Sequence, residues 1–212
     1  MYKYLSAFTL VCFLLFSCKK EQTQTNTQAA NTTSKPSTIN YYGLSVGSYW
    51  VYDIYLVDTL NNSTFEWQDS AWIRSDTVVR GNTYYILAGS TLDMPLDGPL
   101  RDSAGWLVNN SGLRMCNNTG DTSIFLTLVD TGMSVNTFAM SLYTSIIMVP
   151  AGAFTCFDAI GTCKIMAAKY PWPNPRYLNN YYANGVGLIF QTDFYFNSPN
   201  HLERRLVRYH IN

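Results

Sequence analysis

The sequence predicts an all-β fold, a single antiparallel meander of about ten strands forming a closed or strongly curved, barrel-like sheet. Three observations predict it. From Tyr41 onward the apolar residues recur with a period of two rather than 3.6, as strands with one buried face require. Clusters of Asn, Gly, Ser, Asp and Pro interrupt these runs at short intervals, and each can make a tight turn. No stretch of about a dozen residues carries a helical apolar stripe.

Composition agrees. Of 212 residues, 47% are hydrophobic, 15% aromatic and 13% charged. So much aromatic and aliphatic surface excludes a wholly disordered chain. Fourteen Lys+Arg balance fourteen Asp+Glu, so the basic footprint of a nucleic-acid binder is missing.

The chain opens on a targeting signal. Lys3 precedes a largely apolar run from Leu5 to Phe16, followed by Ser17-Cys18. A charged start, a short apolar core and a small residue at the cleavage point make a secretory signal, too short to span a bilayer. The ending L-F-S-C resembles the lipobox of a bacterial lipoprotein. That implies cleavage after residue 17 and acyl chains, palmitate among them, on Cys18. Two or more acyl chains give stable anchoring where one does not. Residues 18–40 follow as a lipidated cysteine and a polar tether, with no aromatic and one large aliphatic, Ile39. Such a segment cannot bury enough apolar surface to offset its ordering entropy. As a coil it reaches roughly 25 Å. The β-rich domain is expected over residues 41–212.

Within it, strands are expected at 49–58, 64–74, 83–88, 105–109, 112–116, 123–129, 141–149, 153–167, 186–196 and 202–211. In the first, Trp50, Tyr52, Ile54 and Leu56 share one face. In the second, Phe65, Trp67, Ala71 and Ile73 oppose Glu66, Gln68, Ser70 and Arg74. In the ninth, Val186, Leu188, Phe190, Phe194 and Phe196 alternate with Gln191 and Asp193. Turns are expected at Asn61-Asn62-Ser63, Arg80-Gly81-Asn82, Asn110-Ser111-Gly112, Thr119-Gly120-Asp121, Pro150-Ala151-Gly152 and Asn197 to Asn200. Short helical turns have room only in 91–101 and 171–182. Trp50 is expected in the core beside the strand containing Phe190, with the two chain ends paired to remove open edges.

Four blocks occur in order: YYGLSVGSYWVYDIY at 41–55, RDSAGWLV at 101–108, MVPAGAFTCFDAI at 148–160 and YYANGVGLIF at 181–190. This set resembles an uncharacterised family of Bacteroidota lipoproteins that share a Y-x-L-x-V-G-x-x-W-x-Y start, a P-A-G-x-F centre and a Y-x-G-V-G-L end. The resemblance implies a secreted β-rich domain on a lipid anchor in the cell envelope, and it implies no catalytic residue.

Chemistry is sparse. His201 and His210 are separated by an odd number, so a continuous strand puts them on opposite faces. No H-E-x-x-H or phosphate-cradling glycine pattern occurs. Asp93 and Asp97, and separately Asn117, Asn118 and Asp121, read as turn formers rather than calcium ligands. The sequence thus assigns no catalytic residue, no metal site and no cofactor. Cys116, Cys156 and Cys163 remain after Cys12 leaves with the signal. Cys156 and Cys163 are about 23 Å apart on one extended strand, beyond disulfide reach unless the chain folds back near Gly161.

Two surface features remain. The proline-rich stretch 169–182 interleaves Pro171, Pro173 and Pro175 with Tyr170, Trp172, Tyr177, Tyr181 and Tyr182. Stiff aromatic loops can stack on a sugar or anchor a partner, and the same loop could equally pack as a lid on its own barrel. Asp58, Asp69, Asp76 and Asp102 each precede Ser or Thr and then an aliphatic residue. This is similar to the Bacteroidota O-glycosylation motif and would modify Thr59, Ser70, Thr77 or Ser103. The expected role is a lipid-anchored envelope domain, in the outer membrane on its periplasmic or surface face, that binds or supports rather than catalyses. Its membrane contact is through the acyl chains, and its ligand a glycan, an apolar molecule or an envelope protein. The alternatives are a carrier holding an apolar ligand inside the curved sheet, distinguished by a cavity of several hundred Å³, and an envelope hydrolase.

Overall fold

The computed structural model describes residues 42–89, 98–167 and 170–212. Expectations for the signal, Cys18, the tether, Asp93 and Asp97 fall outside these residues. The described chain is all-β, without a helix, and builds one 14-stranded antiparallel sheet.

The chain ends pair, as expected. Strand β1 (Tyr49–Val57) lies between β2 (Ser63–Val79) and β14 (His201–His210), antiparallel to both. From β1 the path runs outward through β2, β3 (Asn82–Gly89), β4 (Leu100–Ser103), β5 (Trp106–Asn109) and β6 (Arg114–Asn117). From β14 it runs through β13 (Gly187–Phe194), β12 (Asn180–Ala183), β10 (Gly152–Ile165), β8 (Ser134–Met140) and β7 (Ile124–Asp130). Strands β9 (Ser145–Val149) and β11 (Arg176–Leu178) pair with β10 beside this path. The two outer strands come together. The amide of Asn117 donates to Met140 Sδ at 3.5 Å, and the Trp106 and Phe125 rings meet edge to face at 5.3 Å. The sheet is therefore nearly closed into a barrel.

Four strands exceed the expectation: β4, β8, β11 and β12. The helical turns allowed for 91–101 and 171–182 are corrected where described, since 100–103, 176–178 and 180–183 are extended. Strands of three or four residues hold too few periods to show alternation. In β8 the buried phase holds Ser134, Phe138 and Met140, and a polar Ser134 breaks the apolar pattern. The strand expected at 141–149 begins only at Ser145. One turn is chemically transparent. Arg80 and Gly81 take φ of 51° and 78° between paired Val79 and Asn82, the geometry of a two-residue type I′ hairpin.

Bulges change which residues face inward. Glu66 is skipped where Ile54–Tyr55 pair with Trp67 and Phe65, so Phe65 turns out to meet the Tyr55 ring at 5.9 Å. Ile189 is skipped where Tyr181 and Tyr182 pair with Phe190 and Leu188. Leu188 and Ile189 are buried, while Phe190 turns out against Tyr181 at 5.8 Å and Gln191 turns in. The continuous face expected for Val186 to Phe196 is corrected accordingly.

Trp50, Tyr52, Ile54, Ala71, Ile73, Leu107, Cys116, Leu188 and Leu206 belong to the core. Trp50 packs beside β13 as expected, but against its start, where its indole N–H donates to the Val186 carbonyl at 2.6 Å. Fully burying each of the larger side chains among these contributes about 1.5–3 kcal/mol. Cys116, Cys156 and Cys163 are all buried and unpaired with one another. Cys156 and Cys163 both lie in unbroken β10. Gly161 does not fold the chain back; a Cβ there would sit 2.7 Å from Phe138 Cε1 and 3.0 Å from Leu178 Cβ, so two neighbours close over it.

Candidate functional site

Among the described residues the core is closely packed. Trp50, Tyr52, Leu107, Tyr182, Leu188 and Arg204 are among the residues around a largely apolar cavity of about 50 Å³. Small-molecule pockets run to roughly 300–1,000 Å³. The phenols that reach inward are tied down. Tyr52 donates to the Leu188 carbonyl at 3.0 Å, and the Tyr42 hydroxyl lies 3.1 Å from the Cys116 carbonyl. Burial pushes the Tyr42, Tyr52 and Tyr182 hydroxyls far above their ordinary range. Burial also pushes the Cys116 thiol up, and the Cys156 thiol up to about 12, so both stay protonated and weakly nucleophilic.

One ion pair is enclosed with these rings. Arg204 Nη2 lies 2.9 Å from Asp69 Oδ2, with the two side chains 4% and 9% exposed. The guanidinium sits 4.2 Å over the Tyr52 ring. Sequence reasoning missed this pair, although Arg204 falls in phase with buried Leu202 and Leu206.

The outer face of β2, β1 and β14 carries a different arrangement. Strand register puts residues side by side in rows across the three strands. Trp72, Tyr49 and His210 make the first row; Ser70, Val51 and Arg208 the second; Gln68, Asp53 and Arg205 the third. Tyr49 stacks on His210 with centroids 5.9 Å apart, while both Trp72 and Tyr49 stay about two-fifths exposed. Gln68 Nε2 donates to Asp53 Oδ1 at 3.0 Å. The Arg208 guanidinium has no hydrogen-bond or ion-pair partner among the described residues. Trp72, Tyr49, Ser70, Val51, Arg208 and Gln68 of these rows, with Gly47, Asp69 and Ala71, line an open groove of about 630 Å³. Planar rings beside amide, hydroxyl and cationic donors can stack on a ligand and orient it by hydrogen bonds.

The proline-rich aromatics do not converge into one surface. Tyr182 is a core residue, which corrects its place in a binding set. Strand pairing turns it inward and Tyr181 outward, because neighbours on a strand face opposite ways. Tyr170 and Trp172 are half-buried and Tyr177 is exposed on β11. The loop is sewn to the sheet. Asn174 Nδ2 donates to the Ile165 carbonyl at 2.8 Å and Asn174 Oδ1 accepts from the Ile165 amide at 3.0 Å. Arg176 donates to the carbonyls of Ser198, Pro199 and Asn200 and lies 4.1 Å over the Phe194 ring.

Of the triplet hydroxyls, Thr59 is exposed in the β1–β2 turn, Ser70 is exposed in the groove, and Thr77 and Ser103 are half-buried. His201 bonds Glu203 and His210 bonds Asn212, at opposite ends of β14. Asp158 is buried with its carboxylate accepting from Asn179 Nδ2 and the Asn180 amide, and burial raises its pKa.

No protein-family model and no curated protein sequence matches this chain. Two solved structures are similar. One is a Bacteroides fragilis protein described as exported, with a YmcC-like fold; identity is 13%, TM-score 0.47, with 81% of this chain and 99% of that chain covered. The other is a Parabacteroides distasonis protein described as a lipoprotein; identity is 12%, TM-score 0.46, with 80% and 97% covered. A likeness at this level says nothing of what the present chain binds.

Proposed function

We propose that this chain is a cell-envelope binding module, held to the outer membrane by acyl chains on Cys18, that engages a glycan on the outer face of β2, β1 and β14. The anchoring rests on the order of signal, small residue, Cys18 and polar segment. The binding rests on one observation, the paired Trp72 and Tyr49 rings set beside an uncommitted Arg208 in an open groove. A free guanidinium beside stacked rings favours a sugar that carries a carboxylate. The apolar cavity among the described residues, about 50 Å³, is far smaller than the several hundred Å³ that the carrier alternative calls for.

Two measurements test this reading. Cys18→Ser should leave the membrane pellet after repeated high-salt washes at lipid concentrations well below millimolar, too dilute for a weak surface contact to hold it, while the domain stays folded; protein retained in the pellet under those washes would remove the lipoprotein assignment. Titration with oligogalacturonate should quench tryptophan fluorescence, and cello-oligosaccharide should bind more weakly. Trp72→Ala and Arg208→Ala should each weaken the acidic oligosaccharide by about tenfold or more, the worth of one stacked ring or one charged hydrogen bond. Binding that neither substitution changes would take the glycan off this face.

A further inference from the structure

From residue 131 to residue 157 the chain carries no Asp, Glu, Lys, Arg or His. This stretch spans β8, the Ser141–Thr144 excursion, β9 and the first half of β10. The excursion and β9 expose four bulky side chains. Leu142 is 67% exposed, Tyr143 77%, Ile146 74% and Met148 82%. Register explains the outward row. Ile146 pairs with Thr155 and Met148 with Ala153, all on the outer side, while Ile147 and Val149 pack on the core. An exposed sheet edge is ordinarily guarded by charge, especially lysine, and this one is not. Contiguous apolar side chains at such exposure mark a surface that meets something apolar.

We propose that this hairpin dips into the lipid interface, so that the domain rests on the membrane to which it is anchored. The inference rests on the lipid-anchor reading above. Residues 19–40, even if fully extended, span at most about 75 Å from Cys18, so the domain always remains within reach of the bilayer. Lack of charge is what a face entering the acyl boundary needs, because a desolvated charge there is costly. A tyrosine beside three aliphatic or thioether side chains suits the boundary itself, where an amphipathic ring keeps its hydroxyl in water. Four side chains give weak, reversible binding. The hairpin sets orientation and the acyl chains give retention.

The test uses the full chain with Cys18→Ser, which removes acylation, and vesicles of phosphatidylcholine alone, which remove net lipid charge. The protein should float with vesicles at millimolar lipid, equally at low and high salt. Ile146→Ser with Met148→Ser should lower that partitioning by about tenfold or more, since each lost apolar side chain removes its own transfer energy. Both positions are outward, so the melt should be unchanged. Failure of the Cys18→Ser chain to float would overturn the proposal, as would flotation that the paired substitution leaves intact. Self-association in ultracentrifugation that the same substitutions abolish would also overturn it, giving the face to a second copy of the chain.

Discussion

Arg204→Met should be the most damaging single change at the enclosed ion pair, and more damaging than Asp69→Asn. Arg204 is 4% exposed, within 2.9 Å of an Asp69 that is 9% exposed. With Ile54, Gln191, Asp193 and Leu202 it borders a cavity of about 10 Å³. That space hardly admits a water, and the cavity of about 50 Å³ that Arg204 also borders is largely apolar and offers a water few partners. Removing the cation leaves the enclosed Asp69 carboxylate with the Ser70 amide but no counter-charge, and uncovers the Tyr52 ring. Breaking a buried pair from one side costs about 3–5 kcal/mol. Asp69→Asn is milder. Its amide oxygen can still accept from the guanidinium, which keeps its seat over Tyr52 and its neighbour Asp193. A weakened charged hydrogen bond costs about 1.5–3 kcal/mol. The double mutant should fall short of the sum by about 1 kcal/mol or more, because the two side chains share one interaction. Urea melts followed by circular dichroism, with unchanged denaturant slopes, give all three values. A cost below about 1 kcal/mol for Arg204→Met, or a larger cost for Asp69→Asn, would refute the account of an enclosed pair.

Two further outcomes follow from the placement of side chains. Trp50→Ala should cost about 3–5 kcal/mol by emptying a core site, and should orphan the Val186 carbonyl, while Trp72→Ala, on the outer face, should cost under about 1 kcal/mol; chemical melts of the two compare them directly. Burial alone would raise the Glu203 carboxyl, but hydrogen bonds from His201 and Arg205 outweigh it and hold the carboxyl below its ordinary value near 4.5. A depressed folded-state pKa gives stability that is present above the unfolded value and lost as pH falls through the folded one. Glu203→Gln should therefore lower the stability read from urea melts at pH 7, by about 1 kcal/mol for a partly buried carboxylate in a pair at the sheet surface, and match the unsubstituted chain at the acid end of a series from pH 7 to pH 3.

The all-β class, the pairing of chain ends and the burial of Trp50 were legible because long strands repeat their pattern enough times to be read. Facing was legible only as far as the first bulge. One extra residue at Glu66 puts Phe65 outside, and one at Ile189 puts Phe190 outside and Gln191 inside. A bulge leaves no mark in composition, since the skipped residue can be glutamate in one place and isoleucine in another. Cross-strand rows were beyond reach for a related reason. Trp72, Tyr49 and His210 come from positions far apart in the chain, and only register makes them neighbours. The loop aromatics drew notice because they are adjacent in sequence, but adjacency on a strand separates side chains to opposite faces.

How the sheet treats its other rings adds to the case for the groove. Arginine guanidinium groups lie over Tyr52, Tyr55, Tyr84, Trp106 and Phe194, each within 5.4 Å of the centroid. Arginine is well suited to cover an aromatic face, because its planar, weakly hydrated cation satisfies the ring's negative face while its stem shields apolar surface. At the Trp72–Tyr49 row the pattern stops. His210 stacks on Tyr49, but no cation and no second ring lies over Trp72 among the described residues. Arg208, one row away, lines the same groove. A cation held beside a ring that it does not cover leaves the Trp72 face and the guanidinium available at once. That combination suits a flat, hydroxylated, negatively charged ligand better than an apolar one, which would have no use for the guanidinium.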